Sequence, residues 1–323
     1  MIADHARALW HLSSDKSEIR PVQLPEGEWL PVRTQHSLIS IGTERLIASG
    51  RVPVALSEEM RVPYQEGELD LPVKYGYSLT GVIDLPGHQA HGQLVHLLHP
   101  HQTVAWVHPE DVFPIPEGIP ARRATLASNL ETAITATWDG GVGIGDRVLV
   151  VGFGLIGSLV AEVIKRIPGT TVFVAETRKD RLEIAMSYGF APYQGQPGIC
   201  DVAFHTSTNQ AGLQAAIHSV GTEGEIIELS WYGDREIQVQ LGGTFHSQRK
   251  SIRSSQVSQI SPQRSPRWDY RRRKEVVFNL LKDSAFDRYL THSVHFEDLP
   301  EFFQALREKA PEGIGWTVDY SSR

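Results

Sequence analysis

The chain has 323 residues, a length that is large for one hydrophobic core and suits two domains of ordinary size. Hydrophobic residues make up 41% and charged residues 21%, which indicates a globular protein and excludes an intrinsically disordered one. The net charge of −7 argues against a nucleic-acid-binding protein, because such proteins depend on neutralising phosphates.

Cysteine content and apolar runs narrow the class further. Cys200 is the one cysteine of the sequence, so an intrachain disulfide and a multi-cysteine metal site are both excluded. The first residues do not show a basic segment followed by an apolar run, so no signal peptide is predicted. Apolar runs are shorter than the ~20 residues of a membrane helix. We therefore expect a cytoplasmic protein with neither a membrane nor a nucleic-acid partner.

Residues 1 to about 130 predict an irregular β-rich domain. Proline and glycine recur at short intervals, and the runs 92–98 and 103–107 are typical of strands. From residue 121 to residue 138 the pattern changes to alanine, leucine and threonine at helical spacing, which predicts a helix.

The following segment predicts a doubly wound α/β domain. Its strands are continuous apolar runs, as expected for strands buried on both faces of a parallel sheet. The predicted strands are 147–151, 171–175, 202–204 and 225–229, and the helices between them are 155–167, 180–188 and 210–220. This alternation indicates a parallel sheet with helices on both faces.

The C-terminal part is polar and basic after about residue 245. The arginines between 264 and 273 and Lys274 are expected to lead into a helix over 275–282 and to form a solvated face. The alternatives are that this basic segment contacts anionic phosphates of the cofactor or binds nucleic acid. A helix over 297–307 and a strand over 316–320 follow. The domains predicted are 1–131, 132–272 and a C-terminal return, 273–323, to the first domain.

A glycine motif stands between the first α/β strand and its helix, and comprises Gly152, Phe153, Gly154, Leu155, Ile156 and Gly157. The first glycine permits a tight turn, the second lets the backbone approach a pyrophosphate, and the third lets the helix pack against the strand. The phosphates then bind the free N–H groups of the helix N-terminus. The motif predicts a dinucleotide site, with an ordinary glycine-rich turn as the alternative.

An acidic residue, Glu176, stands nineteen positions after the last glycine of the motif, at the end of the second strand. At this place a carboxylate accepts hydrogen bonds from the adenosine ribose and repels a 2′-phosphate, which favours NAD over NADP. Thr177, Arg178 and Arg181 complete the predicted cofactor contacts. Because Arg178 and Lys179 are able to hold a 2′-phosphate, NADP stays an alternative.

A dinucleotide domain that follows a β-rich domain resembles the medium-chain dehydrogenase/reductase superfamily, which includes the zinc-type alcohol dehydrogenases. The matching segments are 41–44, like the family's Cys-Gly-Thr-Asp; 72–81, like its Gly-His-Glu segment; 131–135, like the stretch with its third zinc ligand; and 145–150, like the start of its cofactor domain. The resemblance implies a Rossmann sheet, a GroES-like catalytic domain and a homodimer. Residues 40–46 are most similar to the bacteriochlorophyllide dehydrogenase branch, which oxidises a hydroxyethyl group on a chlorin ring.

The zinc ligands of the family are replaced in this sequence. The cysteine position is Ile41, the histidine position is Tyr77, and the glutamate after it is Ser78. Only Glu131 keeps a possible ligand, and one carboxylate does not hold zinc. We therefore predict an enzyme without zinc. The segment His99-Pro100-His101 is an alternative source of metal ligands.

The resemblance also assigns candidate catalytic residues. Thr43 matches the hydroxyl that relays the substrate proton, Tyr77 brings a phenol, and Glu131 brings a carboxylate. We expect Tyr77 to be the acid/base group, Thr43 the relay, and Glu131 a residue that orients substrate or tunes Tyr77. The structural alternatives are that Thr43 caps a helix that begins at Glu44, that the Tyr77 ring fills the lost metal cavity, and that Glu131 pairs with an arginine.

The predicted substrate pocket includes Lys74, Trp231 and Tyr232. The two aromatic residues follow a strand of the cofactor domain, where the chain of the family passes near the nicotinamide. A surface charge at Lys74 and core positions for both rings are the alternatives. The function predicted is a zinc-independent, NAD(P)-dependent oxidoreductase of a small alcohol or ketone. A reductase of activated C=C bonds or quinones, and a non-catalytic NAD(H)-binding protein, are the alternatives.

Overall fold

The computed structural model describes residues 6–322. They form two compact units, one of residues 6–128 and 278–322 and the other of residues 129–277. The sequence placed these divisions at 131/132 and 272/273. Within residues 6–322 we find no helix with the length and hydrophobicity of a membrane span.

The first segment of the chain consists mainly of short strands. Its elements are β1 (Arg7–Ser13), β2 (Lys16–Pro21), β3 (Leu30–Ile39), α1 (Ile41–Ala48), β4 (Glu66–Gly67), β5 (Val73–Lys74), β6 (Leu79–Ile83), β7 (Leu94–Leu97), β8 (Val104–Val107), β9 (Phe113–Pro114), α2 (Ala121–Ala124) and α3 (Ala127–Asp139). Two helices therefore replace the single helix predicted over 121–138. The Thr125 carbonyl accepts from Ser78 Oγ, and Thr125 Oγ1 donates to the Arg122 carbonyl, so side-chain bonds interrupt the helical ladder there.

The middle segment alternates strands and helices. Its elements are β10 (Arg147–Val151), α4 (Leu155–Lys165), β11 (Thr171–Ala175), α5 (Lys179–Ser187), β12 (Ala191–Pro192), β13 (Cys200–His205), α6 (Gln210–Ser219), β14 (Val220–Glu228), α7 (Thr244–Ser247), β15 (Ser251–Ser254) and α8 (Tyr270–Leu281). The chain ends with β16 (His292–His295), α9 (Leu299–Glu308) and β17 (Trp316–Asp319).

The β-rich unit contains a four-stranded sheet, β2-β1-β5-β4, and a second sheet, β16-β17-β3-β6-β7-β9, in which β8 also pairs with β3. These pairs are antiparallel except β16 with β17. Val32, Leu79 and Val95 belong to one buried hydrophobic cluster of this unit. Phe303 of α9 and Leu9 belong to a second buried cluster. The C-terminal segment thus completes the core of this unit.

The cofactor unit is a six-stranded parallel sheet in the order β12-β11-β10-β13-β14-β15. The chain order reverses between β10 and β13, and in such sheets ligands bind at the carboxyl ends of the strands at this point. Leu149, Ala203 and Ile226 are buried core residues of adjacent strands. Cys200, at the start of β13, is buried, and burial raises the pKa of its thiol to about 12.

Two elements near the C-terminal end of this unit differ from the prediction. The sixth strand, β15, was not predicted, because all four of its residues are exposed and its sequence is mostly polar. Helix α8 begins at Tyr270 rather than at 275. Asp269, the residue before the helix, accepts a hydrogen bond from the Arg272 amide in its first turn. The expected solvated face is wrong for Arg273 and Lys274, which are buried.

Candidate functional site

The glycine motif forms the turn between β10 and α4. Gly152 has a φ of +94°, a backbone conformation that favours glycine. A Cβ at Gly157 would lie 2.0 Å from the Gly152 carbonyl oxygen, so only glycine allows this approach. Gly154 is the N-cap of α4, and it is followed by the N–H groups of the first helical turn. This geometry meets the requirements for binding a pyrophosphate.

Backbone atoms rather than side chains are available for the cofactor at most motif positions. The side chains of Phe153 and Leu155 are buried, and Ile156 is half-buried. The Phe153 amide donates a hydrogen bond to Glu176 Oε2 at 2.8 Å, which fixes the loop against the end of β11. Thr177, the residue after Glu176, is exposed.

Glu176 is held by two backbone amides, because its Oε1 also accepts from the Arg178 amide at 2.9 Å. The guanidinium of Arg178 pairs with Asp180 at 2.6 Å. Arg181 Nη1 lies 3.6 Å from the point that a Cβ of Gly154 would occupy. The site therefore has a fixed carboxylate at the expected ribose position and an arginine beside the glycine loop.

The His205 cluster lies at the carboxyl ends of β13 and β14, and Tyr232 is the one member that was predicted from the sequence as a site residue. The cluster comprises His205, Ser207, Glu228, Ser230 and Tyr232. His205 is fully buried, and its Nδ1 lies 2.8 and 2.9 Å from the two oxygens of Glu228. Its Nε2 lies 2.7 Å from Ser207 Oγ. Tyr232 Oη donates to Glu228 Oε2 at 3.1 Å, and the Ser230 amide donates to Oε1 at 2.7 Å.

The sequence contains a signal for this cluster. His205 and Glu228 each end a buried strand with a titratable residue, and the two strands are neighbours. Thr206, beside His205, donates from Oγ1 to the carbonyls of Val151 and Gly152, at 3.0 and 3.1 Å. The cluster is therefore adjacent to the glycine loop. Trp231, also predicted for the pocket, is half-buried after β14.

The segment that resembles the catalytic Cys-Gly-Thr-Asp forms the start of α1. The helix begins at Ile41 after the N-cap Ser40, so Thr43 is a half-buried residue of the first turn and does not cap the helix. The fourth residue of the segment, Glu44, is buried. Its Oε1 accepts from the Ser40 amide at 2.7 Å, and its Oε2 lies 2.9 Å from His101 Nε2.

Both histidines of the candidate metal segment are occupied by other partners. His101 Nδ1 lies 2.7 Å from Ser37 Oγ, in addition to the contact of its Nε2 with Glu44. His99 Nδ1 lies 2.9 Å from the Pro100 carbonyl oxygen, and burial lowers the pKa of His99 to about 3. These contacts give the two histidines structural partners within the β-rich unit.

The segment 72–81, which resembles Gly-His-Glu, contains β5 and the start of β6. Tyr77 is half-buried, and its ring lies edge-on to that of Tyr75 with centroids 6.1 Å apart. Ser78, at the glutamate position, is buried and donates to the Thr125 carbonyl at 2.5 Å. Neither Tyr77 nor Ser78 is a side chain that zinc prefers.

Glu131 is part of a buried charge triad within the cofactor unit. Its Oε1 lies 3.2 Å from Arg273 Nε, and its Oε2 lies 2.5 Å from Lys274 Nζ. All three side chains are at most 6% exposed. Both carboxylate oxygens are thus engaged by cations, which favours the paired, structural alternative over a free base.

Lys74 lies beside a cavity of about 200 Å³ within the β-rich unit. Trp29, Tyr64 and Trp106 contribute aromatic rings to the cavity wall. The ammonium group of Lys74 is buried, pairs with Glu66 and donates to Gln102 Oε1 at 2.9 Å. Lys74 is therefore not a surface charge.

The parallel six-stranded sheet and the antiparallel sheets together are the fold of the medium-chain alcohol dehydrogenases, as the sequence predicted. Among solved structures, 2R,3R-butanediol dehydrogenase from Bacillus subtilis matches with a TM-score of 0.77 and 17% identity, covering 98% of this chain and 100% of that chain. Acetophenone reductase from Geotrichum candidum NBRC 4597, in complex with NAD, matches with a TM-score of 0.74 and 15% identity, covering 98% and 97%.

A curated relative is recognisable by sequence as well. D-guloside 3-dehydrogenase of Shigella flexneri is 24% identical over 216 residues, a stretch that spans 61% of this chain and 61% of that protein. No family model matches the chain. These similarities establish the fold.

The residues present do not fit a zinc ion. Ile41, Tyr77 and Ser78 lie in the segments that resemble zinc-binding segments and are not usual zinc ligands, and both oxygens of Glu131 contact cations. In the part of the chain described, residues 6–322, no group of three His, Cys, Asp or Glu side chains is arranged to hold a metal. The glycine loop and Glu176, by contrast, fit a nicotinamide dinucleotide.

Proposed function

We propose that this protein is an NAD(P)-dependent oxidoreductase of the medium-chain dehydrogenase/reductase superfamily, which transfers hydride between nicotinamide and an alcohol or ketone without zinc. The observation that carries the proposal is the glycine loop, closed by Thr206 and tied to Glu176 by the Phe153 amide. The dehydrogenase and reductase named among its matches support the same class of reaction.

The bound dinucleotide supplies the hydride acceptor or donor. The free amides at the start of α4 bind its pyrophosphate, and Arg181 adds a positive charge beside the loop. Glu176 accepts hydrogen bonds from the adenosine ribose. Because two backbone amides hold this carboxylate in place, a 2′-phosphate would meet a fixed negative charge, and NAD is the preferred cofactor.

The chain itself must move the substrate proton. We assign this role to the phenol of Tyr77, with the Thr43 hydroxyl as relay. Glu131 holds Arg273 and Lys274 instead of acting as a base.

Cofactor binding by metal-stripped protein tests this proposal. We expect NADH to bind with micromolar affinity, to bind more tightly than NADPH, and to be unaffected by a chelator, as measured by nicotinamide fluorescence. With NAD⁺ added, oxidation of secondary alcohols from a panel should then yield NADH, and Tyr77→Phe should slow that reaction at least tenfold while cofactor affinity is unchanged. Absence of binding by both cofactors would refute the function, whereas turnover only with conjugated acceptors would favour a double-bond reductase.

A further inference from the structure

The residues that line the cavity beside Lys74 all belong to the β-rich unit. They come from segments that are distant in the sequence: the chain before β3, the chain before β4, strand β5, the chain after β7, and strand β8. The volume of the cavity is about 200 Å³. An apolar cavity of about 150 Å³ in another protein binds benzene, so this one has room for a single six-membered ring with a small substituent.

Three aromatic side chains contribute ring surface to the wall of the cavity, namely Trp29, Tyr64 and Trp106. The polar ends of the first two are engaged outside it. Trp29 Nε1 donates to the Glu26 carbonyl at 2.8 Å, and Tyr64 Oη donates to Asp111 Oδ2 at 2.5 Å. Trp29 and Tyr64 therefore offer the cavity ring surface rather than hydrogen bonds, and such surface packs well against a second aromatic ring.

His99 brings a hydrogen-bond acceptor to the cavity. The residue is 2% exposed, and its Nδ1 lies 2.9 Å from the Pro100 carbonyl oxygen, so Nδ1 carries the proton and donates. Nε2 has no hydrogen-bond partner among residues 6–322. Burial and the positive charge of Lys74 lower the pKa of His99 to about 3, so the imidazole is neutral and Nε2 keeps its lone pair. A buried acceptor of this kind favours a ligand that carries an O–H or N–H group.

Lys74 brings a donor to the same cavity. Its ammonium has three N–H groups, and the described residues give it two acceptors, the carboxylate of Glu66 and Gln102 Oε1. One N–H group is left for a ligand. The carboxylate balances the charge of the ammonium, and His99 is neutral, so the site suits a neutral ligand. A hydroxyl group is able to donate to one partner and accept from the other.

We propose that this cavity is a binding site for a neutral one-ring aromatic molecule with a hydroxyl group, of the chemical class of phenol. The ring packs against Trp29, Tyr64 and Trp106. The hydroxyl donates to His99 Nε2 and accepts from the Lys74 ammonium. The site uses none of the groups assigned to cofactor binding or proton transfer, so this inference goes beyond the proposed function and does not rest on it.

Phenol and toluene test the proposal with the full chain, because they share the ring and differ by a hydroxyl against a methyl group. A purely apolar cavity would bind toluene more tightly, since toluene is the more hydrophobic of the two. We expect the opposite order, with a dissociation constant of phenol on the order of 1 mM or below and at least about threefold below that of toluene. Titration calorimetry without cofactor gives both constants.

Variants assign the binding to the cavity. His99→Phe replaces the acceptor by an apolar ring and should reverse the preference, so that toluene binds more tightly than phenol. His91→Phe is the matched control, because His91 is an exposed residue of the same unit that does not line the cavity, and it should keep the natural preference. Trp29→Val, at a half-buried position, should weaken both ligands about fivefold without changing their ratio, and it tests the site even if His99→Phe does not fold.

Three results would overturn the proposal. The first is a natural chain that binds phenol only above about 10 mM. The second is a natural chain that binds toluene more tightly than phenol, which would refute the hydrogen bond to His99. The third is phenol binding that is unchanged in Trp29→Val, which would place the ligand elsewhere. NADH binding is measured separately, so each of these results leaves the oxidoreductase assignment untouched.

Discussion

The cofactor unit and the β-rich unit differ in how their sites are built. In the cofactor unit the loop depends on backbone shape, and a glycine such as Gly157 is required because any Cβ would collide with the carbonyl of Gly152. In the β-rich unit the buried polar groups find partners far along the chain, as Glu44 does with His101. A site made from backbone atoms is predicted by the spacing of residues in the sequence. A site made from side chains distant in sequence is recognised only in the folded structure.

The largest effect is expected from the buried triad of the cofactor unit, where side chains rather than backbone decide stability. Glu131→Gln leaves Arg273 and Lys274 buried without a counter-charge. We expect the free energy of unfolding to fall by about 3–5 kcal/mol in urea titrations. Glu275→Gln, at an exposed position of α8, is the control and should change it little. A loss below about 1 kcal/mol for Glu131→Gln would contradict the structural role of the triad.

A pair of glycine variants separates backbone packing from cofactor contact. Gly157→Ala places a methyl group 2.0 Å from a carbonyl oxygen, and we expect a loss of about 1–3 kcal/mol in stability together with weaker NADH binding. Gly154→Ala meets only Arg181 Nη1, at 3.6 Å, so its stability should be retained while NADH affinity falls. Equal stability of the two variants would show that the close approach at Gly157 is not a constraint.

The β-rich unit should be the acid-sensitive one. Burial lowers the pKa of His11 and of His99 from 6.5 to about 3. The unfolded chain therefore binds more protons between these values, and stability that is complete above pH 6.5 is lost as pH falls towards 3. At about pH 5 each histidine should lower the free energy of unfolding by about 2 kcal/mol relative to neutral pH.

The measurement for this prediction is urea unfolding at two pH values. His99→Gln should remove about half of the stability difference between pH 7 and pH 5 that the two histidines cause. His91→Gln, at an exposed position, should leave that difference unchanged. An unchanged difference in His99→Gln would mean that His99 does not resist protonation in the folded chain.

The smallest effect concerns cofactor choice. Glu176→Gln keeps the shape of the side chain but removes its charge, so the preference for NADH over NADPH should narrow by about tenfold, or about 1.4 kcal/mol. Titration of both cofactors measures this ratio, with the exposed Glu183→Gln as control. A preference that does not change would assign cofactor choice to another group, such as Arg178.

The sequence predicted the fold well where strands are buried. Strands β10 and β11 agree with the predicted ranges 147–151 and 171–175, because both are short unbroken runs rich in β-branched and apolar residues between turns. Strand β15 was missed because its exposed, polar residues lack that pattern. The same contrast applies to the site. The glycine loop was predicted from spacing. For the His205 cluster the sequence signals only two titratable residues at strand ends, because the pairing of His205 with Glu228 depends on strand order, which no local pattern encodes.

The single cysteine has a practical consequence for spectroscopy. Cys200 is buried at the start of β13, and a thiol whose pKa is raised to about 12 is a poor nucleophile at neutral pH. A cysteine introduced at an exposed position, for example in place of Ile144, which is 80% exposed, would react with maleimide reagents without background from the natural chain. One spin label or fluorophore can therefore be attached at an introduced cysteine without first replacing Cys200.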